Sequence, residues 1–479
     1  MDVVQRKGSK HRILSQRQIE QVHDQVMRLL EDGGSRVLCP EALEILATAG
    51  CDVSDSERVR IPARLVDDAL QKAPQAITVY DRNGAIALRL EQDACYYGNG
   101  SDCVHTIDLD TGERRLCMKQ DVADLARFCD ALPNMDFVMS FGIANDAPCG
   151  KSFVHQYETM LLNTTKPVVV TGHGRNDMIA MAQMAACTLG SAAEVHDKPS
   201  LILYSEPLSP LVHTDMGLSK VLVCCEWDIP FIYIGSPMLG ASGPVTLEGT
   251  LVQAVAESLA GLVIAQNKKP GAKFIFGGDA SAMDMRHSVY SYGAPELNLL
   301  NAALADMAHH YRLPFFCIAG ATDAKSLDAQ AGSEYALSIF NATLNGCNLI
   351  HDCGYLESGL TSSFESLLFA DEIVAMTKFM LKPLDFANNV PLETMIRVGP
   401  AGTFLTEEHT TRFFRDTLWF PRFMNRENYD AWKAHAHADI RGSLNQQAHE
   451  IFEAHQPERL PDSVVSAIRD LVDTCRPDI

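Results

Sequence analysis

The sequence predicts an α/β protein: a (β/α)8 barrel with an N-terminal helix and hairpin lobe and C-terminal helices. Three observations carry this expectation. From about residue 120, short apolar runs rich in strand formers alternate with longer stretches of helical periodicity. Eight such runs follow one another at roughly 30–50 residues, which suits a closed parallel barrel better than an open sheet. The runs also end alike, in Phe-Gly, Thr-Gly, Ser-Glu-Pro, Gly-Ser-Pro, Gly-Gly-Asp, Ala-Gly, Cys-Gly and Val-Gly-Pro. Glycine and small polar residues gather where backbone approaches a ligand, and in a barrel the strand C-termini build the active site.

The elements read in order as follows. Ile19, Val22, Val26, Leu29 and Leu30 recur at helical spacing, and Pro40 opens a second helix through Ile45 and Leu46. Two short strands flank a polar SDSE turn before a helix over 62–73, with Pro62 in its first turn. AITVYDRNGAIALRL is a hairpin with Asn-Gly at its turn, and HTIDLDTGERRLC is a second one. Residues 1–118 thus form the lobe. The barrel is expected over 119–408, its strands at 136–142, 167–172, 201–207, 230–237, 273–279, 314–320, 348–354 and 394–399. VTLEGTLVQAVAESLAGLVIAQN is the clearest intervening helix. Residues 409–479 read as a charged helical extension.

The chain has 479 residues and a formal net charge of −21. That argues against nucleic acid, which needs a basic face to displace counterions, and against an anionic membrane surface. A cationic small molecule is compatible with such a field. Fourteen cysteines show no CxxC spacing, and the basic amino terminus lacks an apolar signal core. No stretch reaches the roughly 18 apolar residues of a membrane span. A cytoplasmic setting is expected.

No P-loop, GxSxG, HExxH or complete GxGxxG occurs. His435-Ala-His437-Ala-Asp439 resembles a barrel metal motif, but it lies in a helical pattern. Positions two apart on a helix diverge around the cylinder, so no metal is expected there. His173 and His213 are single histidines near strand ends, a pattern commoner in hydrogen-bonded structure. His351-Asp352 ends the seventh strand and is followed by Tyr355 and Glu357, so its ring is expected in the barrel mouth. Aromatic residues cluster near strand ends, among them Phe141, Tyr204, Tyr233, Phe276, Tyr290, Tyr292, Tyr355 and Phe364, with Tyr96-Tyr97 before Gly98-Asn99-Gly100. Aromatic faces hold quaternary ammonium groups, which cannot donate hydrogen bonds. Glu206, Asp279 and Asp323 add negative charge near these ends.

Long colinear segments resemble the trimethylamine methyltransferase family. They include RVRIPARLVDDALQKAPQAITVYDRNG, PMLGASGPVTLEGTLVQAVAESLAGLVIAQ and MDMRHSVYSYGAPE. The most specific is TDAKSLDAQAGSEYALSIFNATLNGCNLIHDCGYLESGLTSSFESLLFADEI, and VGPAGTFLTEEHTTRFFR closes the series. The resemblance implies a (β/α)8 barrel that passes a methyl group to the cobalt of a cognate corrinoid protein. Members using trimethylamine carry pyrrolysine, and here every position is a standard residue. That points to the non-pyrrolysine branch, acting on a quaternary amine. Glycine betaine is the expected substrate, with carnitine, γ-butyrobetaine and proline betaine as rivals.

The expected chemistry needs positioning and desolvation rather than an acid–base pair, so no catalytic residue is assigned. No tightly bound cofactor is expected, since the corrinoid belongs to the partner protein. Tyr97, Tyr292, Tyr355 and Phe364 are expected to wall the ammonium, Glu206 to support its charge, and His351 to reach the substrate carboxylate. A homo-oligomer is expected. Two other classes compete: a barrel that binds a betaine without transferring methyl, and a metal-dependent barrel hydrolase.

Overall fold

The computed structural model describes residues 11–55, 57–387, 389–434 and 439–478. His435 and His437, weighed above as metal ligands, lie outside them. Asp439 caps the helix Ile440–Ala454, accepting from the Gly442 amide at 3.0 Å.

A parallel sheet curls into the barrel. Its spatial order is Tyr96–Tyr97, Leu349–His351, Phe315–Ile318, Phe274–Gly277, Phe231–Tyr233, Leu201–Ser205 and Val168–Val170. Parallel bridges from Gly98 to Phe137 and from Val138 to Val168 set residues 137–138 between the two edges and close the ring. The run at 394–399 is therefore not the eighth strand. It lies in the helix Leu392–Val398, with Pro391 at its start and Gly399, at φ 63°, past its end. Proline at a helix start and a left-handed glycine at its close outweigh the few β-branched residues between them. The missing strand is Tyr96–Tyr97, inside the segment read as lobe. It pairs in parallel with Leu349–His351.

Closure at 137–138 rests on few ladder bonds, and Asn99 reinforces it. The fully buried Asn99 amide donates to the Gly100 and Met139 carbonyls at 2.8 Å each and accepts from the Met139 amide at 3.0 Å. Asn99→Ala orphans these buried groups. We expect it to cost about 2–4 kcal/mol in urea denaturation, at roughly 1–3 kcal/mol per unsatisfied buried group. A loss below about 1 kcal/mol would show that the ring closes without this staple.

Strand alternation sorts the side chains. Tyr96, Phe137, Met139, Val169, Ile202, Ile232, Ile234, Ile275, Phe316 and Leu349 fill the barrel interior. Their alternate neighbours, such as Tyr97, Leu203, Phe231, Tyr233 and Phe276, face the surrounding helices. The hairpin Ile77–Tyr80 and Ile86–Leu90 plugs the end away from the mouth. Its Ile77, Val79, Leu88 and Leu90 join the interior cluster, and its Arg89 amide donates to the Tyr96 hydroxyl at 3.0 Å.

The lobe helices Gln16–Arg28, Pro40–Ala49 and Ala63–Lys72 pack over Leu247–Lys268. That cover explains a helix long and apolar enough to cross a bilayer, of which sixteen of 22 residues are buried within the fold. The carboxyl-terminal Ile440–Ala454 packs on Phe364–Met380 and Lys119–Ala131, and Asp462–Thr474 packs on Arg175–Leu189 and Ser152–Asn163.

Candidate functional site

Continuing each strand's alternation past its end brings a set of polar and aromatic side chains into the mouth. From the strand Leu201–Ser205 come Tyr204 and, past its end, Glu206. The Tyr204 hydroxyl donates to Glu206 at 2.9 Å and lies 3.3 Å from Asp279, which follows the strand Phe274–Gly277. Ser236 donates to the same Glu206 oxygen at 3.2 Å. The loop carrying Glu206 is held from below. The buried Glu257 carboxylate accepts from Ser209 Oγ at 2.7 Å and from the Leu211 amide at 2.9 Å.

His351 sits opposite. Its ring stacks on Phe316 at 3.9 Å between centroids and 16° between planes. Nδ1 lies 2.7 Å from Asp352, and Nε2 faces Asp279 at 3.7 Å. Burial pushes the ring's pKa down, but the charges of Asp352 and Asp279 and the close contact with Asp352 outweigh it and lift it to about 9. His351 is thus an imidazolium at neutral pH.

The third wall comes from residues 281–292. Tyr290 and Tyr292 meet edge to face at 5.3 Å. Asp323 accepts the Tyr292 amide at 2.8 Å, together with the hydroxyls of Ser291 and Ser358. The negative charges of Asp279, Glu206 and Asp352 act on both tyrosines. Tyr355 closes the remaining side, stacked on Phe141 at 6.1 Å with its hydroxyl on the Ser101 carbonyl.

Electrostatically the mouth is crowded with carboxyls. Glu206 keeps solvent access, yet desolvation raises its pKa, and desolvation does the same to Asp279 and Asp102. Lys220 is a second cation at the mouth, beside the His351 imidazolium. It donates to the Gly172 carbonyl at 2.9 Å, and burial lowers its pKa against the charges of Glu206 and Asp102. At the mouth, three buried polar atoms find no hydrogen-bond partner among the described residues: the Tyr290 hydroxyl, and Asp279 Oδ1 and His351 Nε2, which face each other at 3.7 Å. Orphans gathered in one concavity leave room for a ligand to complete them.

Of the residues expected in the site, Glu206, Tyr292, His351 and Tyr355 come together here. Tyr97 does not. Alternation with the inward Tyr96 turns it outward, where its hydroxyl bonds Thr343 Oγ1 at 2.9 Å and Lys378 Nζ lies 5.0 Å over its ring. Phe364 stands behind the wall, edge-on to Phe128 and Phe452 at 5.3 and 5.2 Å and 6.3 Å from Phe141. Its place starting the helix Phe364–Met380 directs it to the helix layer. His213 is structural, 2.8 Å from the Tyr233 hydroxyl and pushed by burial down to about 4. Lys220 and Asp102 were not foreseen. Neither lies at a recognisable strand end, and only the folded register brings them to the mouth.

The sequence model of the trimethylamine methyltransferase family (MTTB) matches residues 1–479. The chain belongs to this family. It is 31% identical over 461 residues to trimethylamine methyltransferase MttB of Desulfitobacterium hafniense (strain DSM 10664 / DCB-2), covering 96% of this chain and 93% of the relative. It is 30% identical over 430 residues to a glycine betaine methyltransferase of Desulfitobacterium hafniense (strain Y51), covering 88% of each. The solved monomethylamine methyltransferase of Methanosarcina barkeri superposes with a TM-score of 0.52 at 10% identity, covering 93% of this chain and 88% of that one. At that identity the likeness speaks for the fold alone. The protein is thus a methyltransferase of the trimethylamine methyltransferase family, built on a barrel like that of its structural neighbour.

Proposed function

We propose that the protein takes a methyl group from a small quaternary amine, glycine betaine, and passes it to the reduced cobalt of a separate corrinoid protein. The observation that carries this reading is the character of the mouth. Tyr204, Tyr290 and Tyr292 stand beside Glu206 and Asp279. Ring faces and carboxylates together suit a cation with no hydrogen to donate. The glycine betaine methyltransferase relative, similar over most of both chains, supports the choice of substrate.

The chain's residues hold and orient. Tyrosine faces and the Glu206 carboxylate fix the ammonium with one methyl toward the opening. The reduced corrinoid supplies the nucleophile. The new carbon–cobalt bond forms as the carbon–nitrogen bond breaks, and the electron pair returns to nitrogen. Dimethylglycine leaves as a neutral amine at that nitrogen, so no proton donor is required. Exclusion of water and alignment of the methyl supply the acceleration. His351 is already paired with Asp352 and Asp279, whereas among the described residues Lys220 hydrogen-bonds a neutral carbonyl, so we assign the substrate carboxylate to the Lys220 side of the mouth.

The test is an anaerobic assay with a corrinoid protein reduced to Co(I) and proven active with another methyltransferase. Glycine betaine, carnitine, γ-butyrobetaine, proline betaine and trimethylamine are added singly while the visible spectrum is followed. Methylation by glycine betaine and none by trimethylamine is the expected result. Methylation by another betaine alone would move the substrate assignment to it. Binding of a betaine without any methylation would favour a non-catalytic barrel.

A further inference from the structure

The helix Phe364–Met380 starts at the mouth end, where Phe364 meets Phe141, and runs to the opposite end, where Lys378 bonds Asn134 just ahead of the bridged residues 137–138. The chain then leaves the barrel and touches it again where Trp419 meets Phe379 and Arg422 pairs with Asp371 and Glu372. Residues 380–432 include thirteen of the twenty-five large apolar side chains exposed among the described residues, in about a ninth of the sequence. Leu384, Phe386, Ile396 and Leu405 are between 65% and 81% exposed. The helices Leu392–Val398, Glu408–Thr417 and Tyr429–Ala434 bury no residue at all. Isolated helices this short are marginal in water, and most helical stability comes from packing an apolar face. A groove of about 720 Å³ opens between 383–391 and 409–417, with Leu384, Phe386, Val390 and Phe413 on its walls. An apolar surface on this scale marks an interaction site.

Charge and position select the occupant. Residues 381–432 hold six Lys and Arg against seven Asp and Glu, so this arm carries −1 of the chain's −21. Two copies of so acidic a chain repel each other over most of their surface and can approach on a nearly neutral face. The arm also leaves from the end away from the mouth, so a protein working at the mouth would not cover it. We propose that residues 380–432 form a self-association arm that docks on a second copy of this chain.

The experiment is sedimentation of the full chain over a dilution series, beside an Ile396→Asp/Leu405→Asp variant. Both sites lack buried contacts, so the barrel's thermal midpoint should not move. The wild type is expected to sediment as a dimer or higher oligomer. The variant should dissociate on the order of 100-fold more readily, because two charges must be desolvated in the interface. Hydrogen exchange supplies the second measurement: amides of 392–417 should lose protection on dilution in step with dissociation, while barrel amides keep theirs. A monomeric wild type overturns the proposal. So does a variant that keeps the wild-type mass, or an oligomer whose arm amides stay unprotected. An arm that gains protection only with the corrinoid protein would overturn it in favour of that partner.

Discussion

Glu206→Gln is expected to raise the KM for the quaternary amine about 30-fold near neutral pH, with a smaller change in kcat. The carboxylate accepts from Tyr204 and Ser236 while facing the mouth, so Gln keeps the shape and one acceptor and removes the charge. A cation about 5 Å away in a surface-like dielectric is attracted by roughly 2–3 kcal/mol, and about 2 kcal/mol is a 30-fold change. The pH profile separates charge from shape. Desolvation by the surrounding wall raises the Glu206 pKa, with Asp279 adding to the rise and the Tyr204 hydrogen bond opposing it. As pH falls through that raised value, the carboxylate gains a proton and the substrate loses its counter-charge, so KM climbs on the acid side. Asp279 has a raised pKa as well, held back by His351. The Gln variant should therefore keep only the part of the acid limb owed to Asp279. An unchanged acid limb would remove Glu206 from the ammonium site, and a collapse in kcat with constant KM would recast it as a positioning group.

The fold was legible because seven of the eight barrel strands are short buried runs, and runs of that kind cannot hide in a sequence. The eighth was missed for a physical reason. Tyr96–Tyr97 is two residues long and follows a hairpin, so it carries no run to recognise, while 394–399 offered a longer apolar stretch whose Pro391 and Gly399 are helix punctuation. In the site, alternation decides what sequence position alone does not. His351 and Leu349 share a face, as do Tyr204 and Ile202, and these point inward. Tyr97 and Phe276 sit on the opposite face and point out. Strand-end position selected the right loops, and the exact register was needed to choose the side chains. Lys220 could not be found that way. It lies in the helix Asp215–Trp227, and only three-dimensional packing brings its ammonium to Gly172 and within reach of Glu206's charge.

Gly100→Ala should lower the rate at least 100-fold while leaving a folded protein. A Cβ at Gly100 would lie 2.1 Å from Asp352 Oδ1 and 2.2 Å from Tyr355 Cζ, distances that no side chain tolerates. The facing turn is fastened in three places. The Cys353 amide donates to Gly98 at 3.3 Å, the Gly354 amide to Gly320 at 2.9 Å, and the Tyr335 hydroxyl to the Tyr355 carbonyl at 2.8 Å. The Asp352 carboxylate and the Tyr355 ring must both give way, and moving Asp352 breaks the 2.7 Å contact with His351. Overpacking of this kind costs about 1–3 kcal/mol of stability, and losing the aligned wall removes about 3 kcal/mol from the transition state. The ring itself supplies the decisive readout. With Asp352 in place its folded pKa is about 9 against an ordinary 6.5. The stability it contributes is complete below 6.5 and is lost as pH rises through about 9. With Asp352 displaced, burial is opposed by Asp279 alone, so the His351 titration seen by NMR should move well below 9 and that alkaline loss of stability should shrink. A variant that loses activity with the His351 titration unmoved would show that the glycine is needed for the backbone at Ser101 and Tyr355, and that the histidine–aspartate pair lies outside its reach.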